Sequence, residues 1–145
     1  MPTLTIDTTE LASRLRLGVT RLARRLRREA EPGITQSQLS GLATIERHGP
    51  MTIGELSGTE QVQPPSMTKI VAALVDGGLV ARETDPEDRR MAWLRATPEG
   101  VKLLQRSRKR KEAFLAKQMR SLEPRQLAVL QEATRILEQI VEGDR

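Results

Sequence analysis

The sequence predicts a mainly α-helical chain that carries one small β-hairpin. Through most of its 145 residues, apolar side chains recur at steps of three and four, which is the period of an amphipathic helix. Two short segments with strand character, 79–84 and 91–96, flank a turn-rich tip that runs from Asp85 to Arg90. The only aromatic residues are Trp93 and Phe114, so the core must be aliphatic, which suits helices.

The first helix is predicted over residues 10–29. Its apolar positions form one stripe, made of Leu11, Leu15, Val19, Leu22 and Leu26. The stripe favours packing against a partner subunit, and packing within one subunit is the alternative.

Two capping signals mark the next two helices. Thr35 to Gln38 forms a capping box that opens a helix with Leu39, Leu42 and Ile45 inward, and His48-Gly49-Pro50 closes it. Thr52 to Glu55 forms a second box, and the short helix that it starts around Leu56 is predicted to end near Gly58. Residues 59–63 then read as a polar turn of the length that joins two helices of a helix-turn-helix.

The fourth helix starts at Pro64 and stops at Gly77-Gly78. Its inward positions are Met67, Ile70, Val71, Leu74 and Val75, and its outer positions are Ser66, Thr68, Lys69, Ala72 and Ala73. Small and hydroxyl-bearing outer residues allow a helix to approach base edges in a major groove. Taken alone, the pattern is equally typical of an ordinary core helix.

The hairpin after this helix is interpreted as a wing. Asp88 is suited to accept hydrogen bonds from a neighbouring arginine or from turn amides, and an arginine held at such a tip can enter the minor groove. A cation site at Asp85, Glu87 and Asp88 is the alternative, but their spacing matches no complete cation loop, so we predict no metal. Three helices and a hairpin within residues 34–96 predict a winged helix-turn-helix.

Two further helices are predicted, from Pro98 to about Arg120 and from Pro124 to the C-terminus. In the last one, Leu127, Leu130, Thr134, Leu137 and Val141 follow alternating steps of three and four. That spacing favours a seam against a partner helix, although packing within one subunit is the alternative.

The chain resembles the MarR family of bacterial transcriptional regulators. The motifs that carry the resemblance are TIGELS at 52–57, PPSMTKIVAALVDGGLVAR at 64–82, DPEDRR at 85–90 and the helix start Thr97-Pro98-Glu99-Gly100. The resemblance implies a homodimer on double-stranded DNA, each subunit reading one half-site of a near-palindromic operator. It divides the chain into a dimerisation helix at 1–33, a winged helix-turn-helix at 34–97 and dimerisation helices at 98–145.

The resemblance also implies the site residues. The DNA contacts would be Gln63, Pro65, Ser66, Thr68 and Lys69 in the major groove, and Asp88, Arg89 and Arg90 in the wing. The dimer contacts would include Leu11, Leu127, Leu130, Leu137 and Val141. A small aromatic or phenolic acid would release the protein, which is expected to be a repressor, from DNA. Its pocket would be lined by Leu15, Arg16, Val19, Leu22 and Leu42, which are ordinary core positions as well.

The net charge of +5 is unevenly distributed. Residues 35–96 hold six Lys or Arg and eight Asp or Glu, so the excess lies outside the predicted winged module. It is concentrated in seven arginines between residues 11 and 30 and in the run RSRKRK at 106–111. These runs add salt-dependent affinity for DNA, or they are solvated faces that pair with acidic residues. If they carry the affinity, the alternative function is a DNA-binding module without sequence preference, or a protein-interaction module.

Composition excludes several other classes of protein. There are no cysteines and one histidine, His48, so disulfides, thiolate metal sites and a serine triad are not expected. No nucleophile, base and orienting group can be assembled from the motifs, so we predict neither an enzyme nor a cofactor. The sequence has no apolar segment long enough to span a bilayer and no leader at its start, so we expect a cytoplasmic protein on the nucleoid, without membrane contact.

Overall fold

The computed structural model describes residues 4–143, which form helices and one antiparallel hairpin. The elements in chain order are α1 (Thr8–Glu29), α2 (Gln36–His48), α3 (Ile53–Glu60), α4 (Pro64–Asp76), β1 (Val80–Thr84), β2 (Ala92–Ala96), α5 (Pro98–Met119) and α6 (Pro124–Glu142). The predicted mainly α fold with a small wing is confirmed. The last helix ends at Glu142, and residues 144–145 at its predicted end lie outside the described part.

Side-chain caps place most helix starts where the sequence predicts them. Thr35 and Gln38 form the complete capping box of α2, with both reciprocal hydrogen bonds. At α3, the Thr52 hydroxyl accepts a hydrogen bond from the Glu55 amide at 3.2 Å, which is one half of the predicted second box. The Asp7 carboxylate accepts from the amides of Thr9 and Glu10, so α1 begins two residues before the predicted start.

The predicted end of α3 near Gly58 is wrong, because the helix continues to Glu60. The Glu60 carboxylate accepts hydrogen bonds from two hydroxyls of α2, Ser40 at 2.7 Å and Thr44 at a shorter distance. These bonds hold the last turn of α3 against α2. The helix then stops at Gln61, which takes the left-handed conformation with φ 54°. The turn before α4 is therefore shorter than predicted.

The hydrophobic core lies within the winged helix-turn-helix. Its fully buried side chains come from α2 to α4 and from β2; they are Leu42, Ile45, Leu56, Met67, Val71, Leu74 and Leu94. Met51 exchanges two backbone hydrogen bonds with Leu94, at 3.2 and 2.7 Å, and so extends the hairpin by a third short segment. These contacts make α2, α3, α4 and the hairpin one packed unit.

Two glycines allow close turns between elements. Gly78 has φ +73° after α4, and the Leu79 amide returns to the Leu74 carbonyl at 2.9 Å, which is a Schellman-type ending. At the start of α5, a Cβ on Gly100 would lie 2.2 Å from the Leu79 carbonyl oxygen and 3.1 Å from Leu42 Cδ1. Glycine at position 100 therefore lets α5 touch the base of the hairpin.

The two predicted strands form an antiparallel hairpin, whose register pairs Val80 with Ala96 and Thr84 with Ala92. Both strands begin one residue later than predicted. Trp93 in β2 is half-buried, and its indole nitrogen reaches back to Asp85.

The long helices form an arm outside this core. α1 packs against α5, where the Arg25 guanidinium lies 4.4 Å from the centre of the Phe114 ring. Neither α1 nor α6 has a fully buried side chain, and both leave large apolar residues in contact with solvent. In residues 4–143 no helix is both long enough and apolar enough to cross a membrane.

Candidate nucleic-acid interface

The outer face of α4 presents every residue that was predicted to read the major groove. Gln63, at the N-cap, and Pro65, Ser66, Thr68 and Lys69 are all exposed. The opposite face holds Met67, Val71 and Leu74, each 1% exposed, so the helix cannot turn about its axis without exposing the core. Packing therefore determines which side chains face outward.

The chemistry of this face suits base edges. The Thr68 hydroxyl donates to the Pro64 carbonyl at 2.9 Å, which leaves its oxygen free to accept a hydrogen bond. Lys69 makes no ion pair within the described part of the chain, so its ammonium is available to a guanine or a phosphate. Ala72 and Ala73 follow on the same exposed side and add no bulk.

Asp85 organises the tip of the wing. Its Oδ1 accepts hydrogen bonds from the amides of Glu87 at 2.8 Å and Asp88 at 3.2 Å, and its Oδ2 accepts one from Trp93 Nε1 at 2.9 Å. The bond from Trp93, followed by those from the two amides, lowers the pKa of the Asp85 carboxyl below its ordinary value of 3.8. The carboxylate is thus held charged and at the centre of the turn.

Asp88 in turn orients Arg90. Its Oδ1 accepts from both the backbone amide and the Nε of Arg90, each at 3.1 Å. The Arg90 side chain is nevertheless 91% exposed, so its guanidinium points into solvent from a fixed base. Arg89 is exposed and makes no ion pair with any described residue.

Sequence reasoning identified Asp88 and Arg90 but missed the part that Asp85 and Trp93 have in supporting them. A signal was present: Asp85 opens the turn, and Trp93 lies in β2 eight residues later, paired with Glu83 in the register. This pairing places the indole over the turn, but it can be inferred only when the register of the hairpin is known.

A cleft of about 230 Å³ separates the wing from the N-terminus of α3. Its lining includes Arg82 and Arg90 on one side and Thr52, Ile53 and Gly54 on the other. Two guanidinium groups opposite a helix N-terminus favour an anion, and a DNA phosphate is one. Arg82 was not among the predicted DNA contacts, because its position beside α3 depends on the tertiary fold.

The residues predicted to line a ligand pocket are not brought together within one subunit. Leu42 is 0% exposed inside the winged module, whereas Leu15, Val19 and Leu22 are 40–48% exposed on α1. Arg16 is exposed on the same helix. A ligand that contacts α1 therefore cannot also reach Leu42 unless the core opens.

The predicted dimerisation residues lie on surfaces that this subunit leaves uncovered. Leu11, Leu127 and Leu130 are 39–48% exposed, Val141 is 76% exposed and Leu137 is half-buried. Adjacent positions of α6, Ile136 and Ile140, are exposed as well.

Comparison with known proteins gives consistent matches. The MarR family model matches residues 34–91. An uncharacterized HTH-type transcriptional regulator of Mycobacterium leprae is 36% identical over 91% of this chain and 93% of its own length. The HTH-type transcriptional repressor MdtR of Bacillus subtilis is 28% identical over 77% of this chain and 72% of its own length. A Pseudomonas aeruginosa protein described as a transcriptional regulator superposes with a TM-score of 0.83 at 33% identity, and covers 97% of this chain and 98% of its own.

Proposed function

Because the chain belongs to the MarR family of DNA-binding transcriptional regulators, we propose that it is a homodimeric repressor that binds a near-palindromic operator. The observation that carries the proposal is the joint display of two DNA-reading elements on one rigid unit. These elements are the exposed outer face of α4 and the wing arginine Arg90, whose Nε lies 3.1 Å from Asp88. We assign the major groove to Gln63, Pro65, Ser66, Thr68 and Lys69, and the wing contacts to Asp88, Arg89 and Arg90.

The dimer is supported by the apolar surface of α1 and α6. Exposed apolar side chains recur along both helices, among them Leu11, Leu127, Leu130 and Val141, and an exposed apolar stripe of this kind marks a surface for helix packing. A second copy would cover them by helix packing. Two winged modules on one dimer would then lie about one helical turn of DNA apart.

Repression is supported by the likeness to MdtR, whose name describes a transcriptional repressor. We propose that this chain also represses transcription, and that it does so in the cytoplasm by binding to the chromosome. A repressor competes with transcription by occupying its operator, so its effect follows from affinity and operator position rather than from catalysis.

We further propose that a small aromatic or phenolic acid releases the protein from DNA by binding better to an arrangement that does not fit the operator. A cavity of about 160 Å³ between α2 and α5, whose lining includes Arg108 and Lys111, is a place for its carboxylate. The cavity is smaller than the roughly 300–1,000 Å³ of most ligand sites, so α2 and α5 would have to separate. Titration with 4-hydroxybenzoate would test this by loss of operator binding.

The decisive experiment is selection of bound duplexes from a random pool at near-physiological salt. We expect an inverted repeat whose half-site centres lie about 10 base pairs apart. If no motif is recovered and binding vanishes steeply as salt rises, the basic helices carry the affinity and the chain binds DNA without sequence preference.

A further inference from the structure

One segment of α5 holds the connection between α1 and α2. Arg106 Nε lies 3.3 Å from Glu31 Oε1, and the Glu31 amide donates to Ser107 Oγ at 3.4 Å. One turn later, Arg110 Nε donates to the Glu29 carbonyl at 3.2 Å. We call these three contacts the clasp.

The surroundings of the clasp favour its stability. Ser107 is 2% exposed and the Glu31 side chain 18% exposed, so the bond from the Glu31 amide to Ser107 is shielded from water, whereas the Arg106 side chain is 53% exposed and its ion pair with Glu31 is partly screened. Glu29 is the last residue of α1, and its carbonyl is one of those that no later helical amide satisfies. A cation such as Arg110 is favoured there by the helix dipole as well.

The arginines of the basic run 106–111 therefore make contacts within the subunit. Arg108 Nη2 lies 3.8 Å from Glu46 Oε2, which adds a contact from α5 to α2. Lys109, in contrast, is exposed and makes no ion pair with residues 4–143. The three arginines of the run thus contact other elements of the subunit, whereas Lys109 lies in solvent.

We propose that the clasp fixes the end of α1 and the start of the α1–α2 connection on α5, the helix that runs from the module core into the dimerisation region, and so determines the half-site spacing that the protein accepts. The same helix that carries the clasp enters the module core through Leu103 and Leu104 and touches the hairpin at Gly100. A rotation of the module about the α1–α2 connection would break the clasp. The proposal rests on the homodimer proposed above, because spacing has meaning only for two half-sites.

The test compares Arg106→Gln/Arg110→Gln with the control Lys109→Gln/Lys117→Gln, which removes two charges from the same helix outside the clasp. Each protein is first examined without DNA by hydrogen exchange. We expect the amides of Glu29, Ala30, Glu31 and Gly33 to exchange at least about tenfold faster in the clasp variant and at the wild-type rate in the control. Equal rates in all three proteins would overturn the clasp whether or not the chain reads an operator.

The second measurement uses operators whose half-site spacing is shortened or lengthened by one base pair. Because overtwisting DNA is costly, we expect wild type and control to lose about tenfold or more in affinity, and the clasp variant about threefold or less. An unchanged preference in the clasp variant would overturn the proposal. If wild type binds no inverted repeat at all, the proposed function and the spacing role fail together, while the exchange result still stands for the clasp.

Salt dependence separates the clasp from direct DNA contact. An arginine on a phosphate lowers the slope of log affinity against log salt by about one when it is removed, whereas a clasp arginine leaves the slope unchanged. Glu31→Gln sharpens the distinction, because it frees Arg106 without removing a cation. The clasp predicts weaker spacing preference for Glu31→Gln, and a DNA-contacting Arg106 predicts tighter binding with a steeper slope.

Discussion

At the scale of single residues, the wing arginine is positioned by a relay of hydrogen bonds. The Trp93 indole holds Asp85, Asp85 holds the Asp88 amide, and the Asp88 carboxylate holds Arg90. An exposed arginine ordinarily samples many rotamers, and ordering it on binding costs free energy. The relay restricts Arg90 before DNA arrives.

Arg90→Ala should weaken operator binding by about 1–3 kcal/mol, which is roughly five- to 150-fold. Because the side chain is 91% exposed, the free energy of unfolding should change by no more than about 0.5 kcal/mol. Fluorescence anisotropy with a labelled operator and denaturant unfolding measure the two effects.

Arg89→Ala is the matched comparison, because it removes the same charge at the neighbouring position. Unlike Arg90, the Arg89 guanidinium has no carboxylate partner in residues 4–143. We expect a smaller loss of affinity there. Equal affinities of Arg90→Ala and wild type would contradict the assignment of the wing.

Trp93→Phe should raise the pKa of Asp85 toward 3.8, because the indole hydrogen bond is the largest cause of its lowering. The folded pKa lies below the unfolded one, so the carboxylate stabilises the fold above about 3.8 and the contribution is lost as pH falls through the lower folded pKa. NMR titration of the Asp85 carboxyl gives the shift directly.

The same linkage predicts how stability differs between Trp93→Phe and wild type. The part of this difference in unfolding free energy that is due to Asp85 should be constant above about pH 5. It should shrink as both proteins are acidified below about pH 4. A difference that instead grew on acidification would show that the indole does not stabilise the charged form.

At the scale of elements, α5 depends on glycine where it meets the hairpin. In Gly100→Ala the new Cβ would lie 2.2 Å from the Leu79 carbonyl oxygen, which is backbone and cannot swing away. We expect a destabilisation of about 1–3 kcal/mol or more, as for other overpacked sites. Thermal and denaturant unfolding measure it.

Gly58→Ala provides the control within α3, because a Cβ there meets no atom within 4 Å. Alanine loses less backbone freedom on folding than glycine, so this variant should be more stable by about 0.5–1 kcal/mol. Opposite signs for the two glycines are therefore expected, and a neutral Gly100→Ala would mean that α5 has room to move.

At the scale of the whole molecule, the apolar residues form two sets, one in a buried core and one on exposed helix faces. One set fills the winged module, and the other lies on α1 and α6 without cover from this subunit. The excess of basic residues also lies outside the module, since residues 35–96 carry two more acids than bases. Under the proposed function, we therefore expect the DNA affinity of this module to come from a few positioned cations rather than from its net charge.

Leu130→Arg should dissociate the proposed dimer, because it places a charge on the apolar stripe of α6, where Leu130 is 40% exposed in one subunit. Sedimentation should then show a monomer, with a loss of operator affinity of at least about a hundredfold as two half-sites are no longer linked. Gln139→Arg adds the same charge to an exposed position of α6 off the stripe and should leave both properties intact. A monomeric wild type, or a dimeric Leu130→Arg, would contradict the proposed interface.

The sequence alone was sufficient for the order and type of the elements and for the outer face of α4. Helix caps such as Thr35 and stripes such as Met67, Val71 and Leu74 are local patterns, and short-range hydrogen bonds and burial decide them. Asp88 and Arg90 are two residues apart, so their pairing could also be anticipated from the chain.

Tertiary structure alone decided contacts between residues distant in the sequence. The end of α3 depends on hydroxyls of α2 that bind Glu60, and the support of the wing depends on the register that returns Trp93 to Asp85. Arg106 and Glu31 are 75 residues apart, so no periodicity could have shown that part of the basic run holds a connection. Such contacts arise only when packing brings separate segments together, because composition and spacing describe neighbours along the chain and not in space.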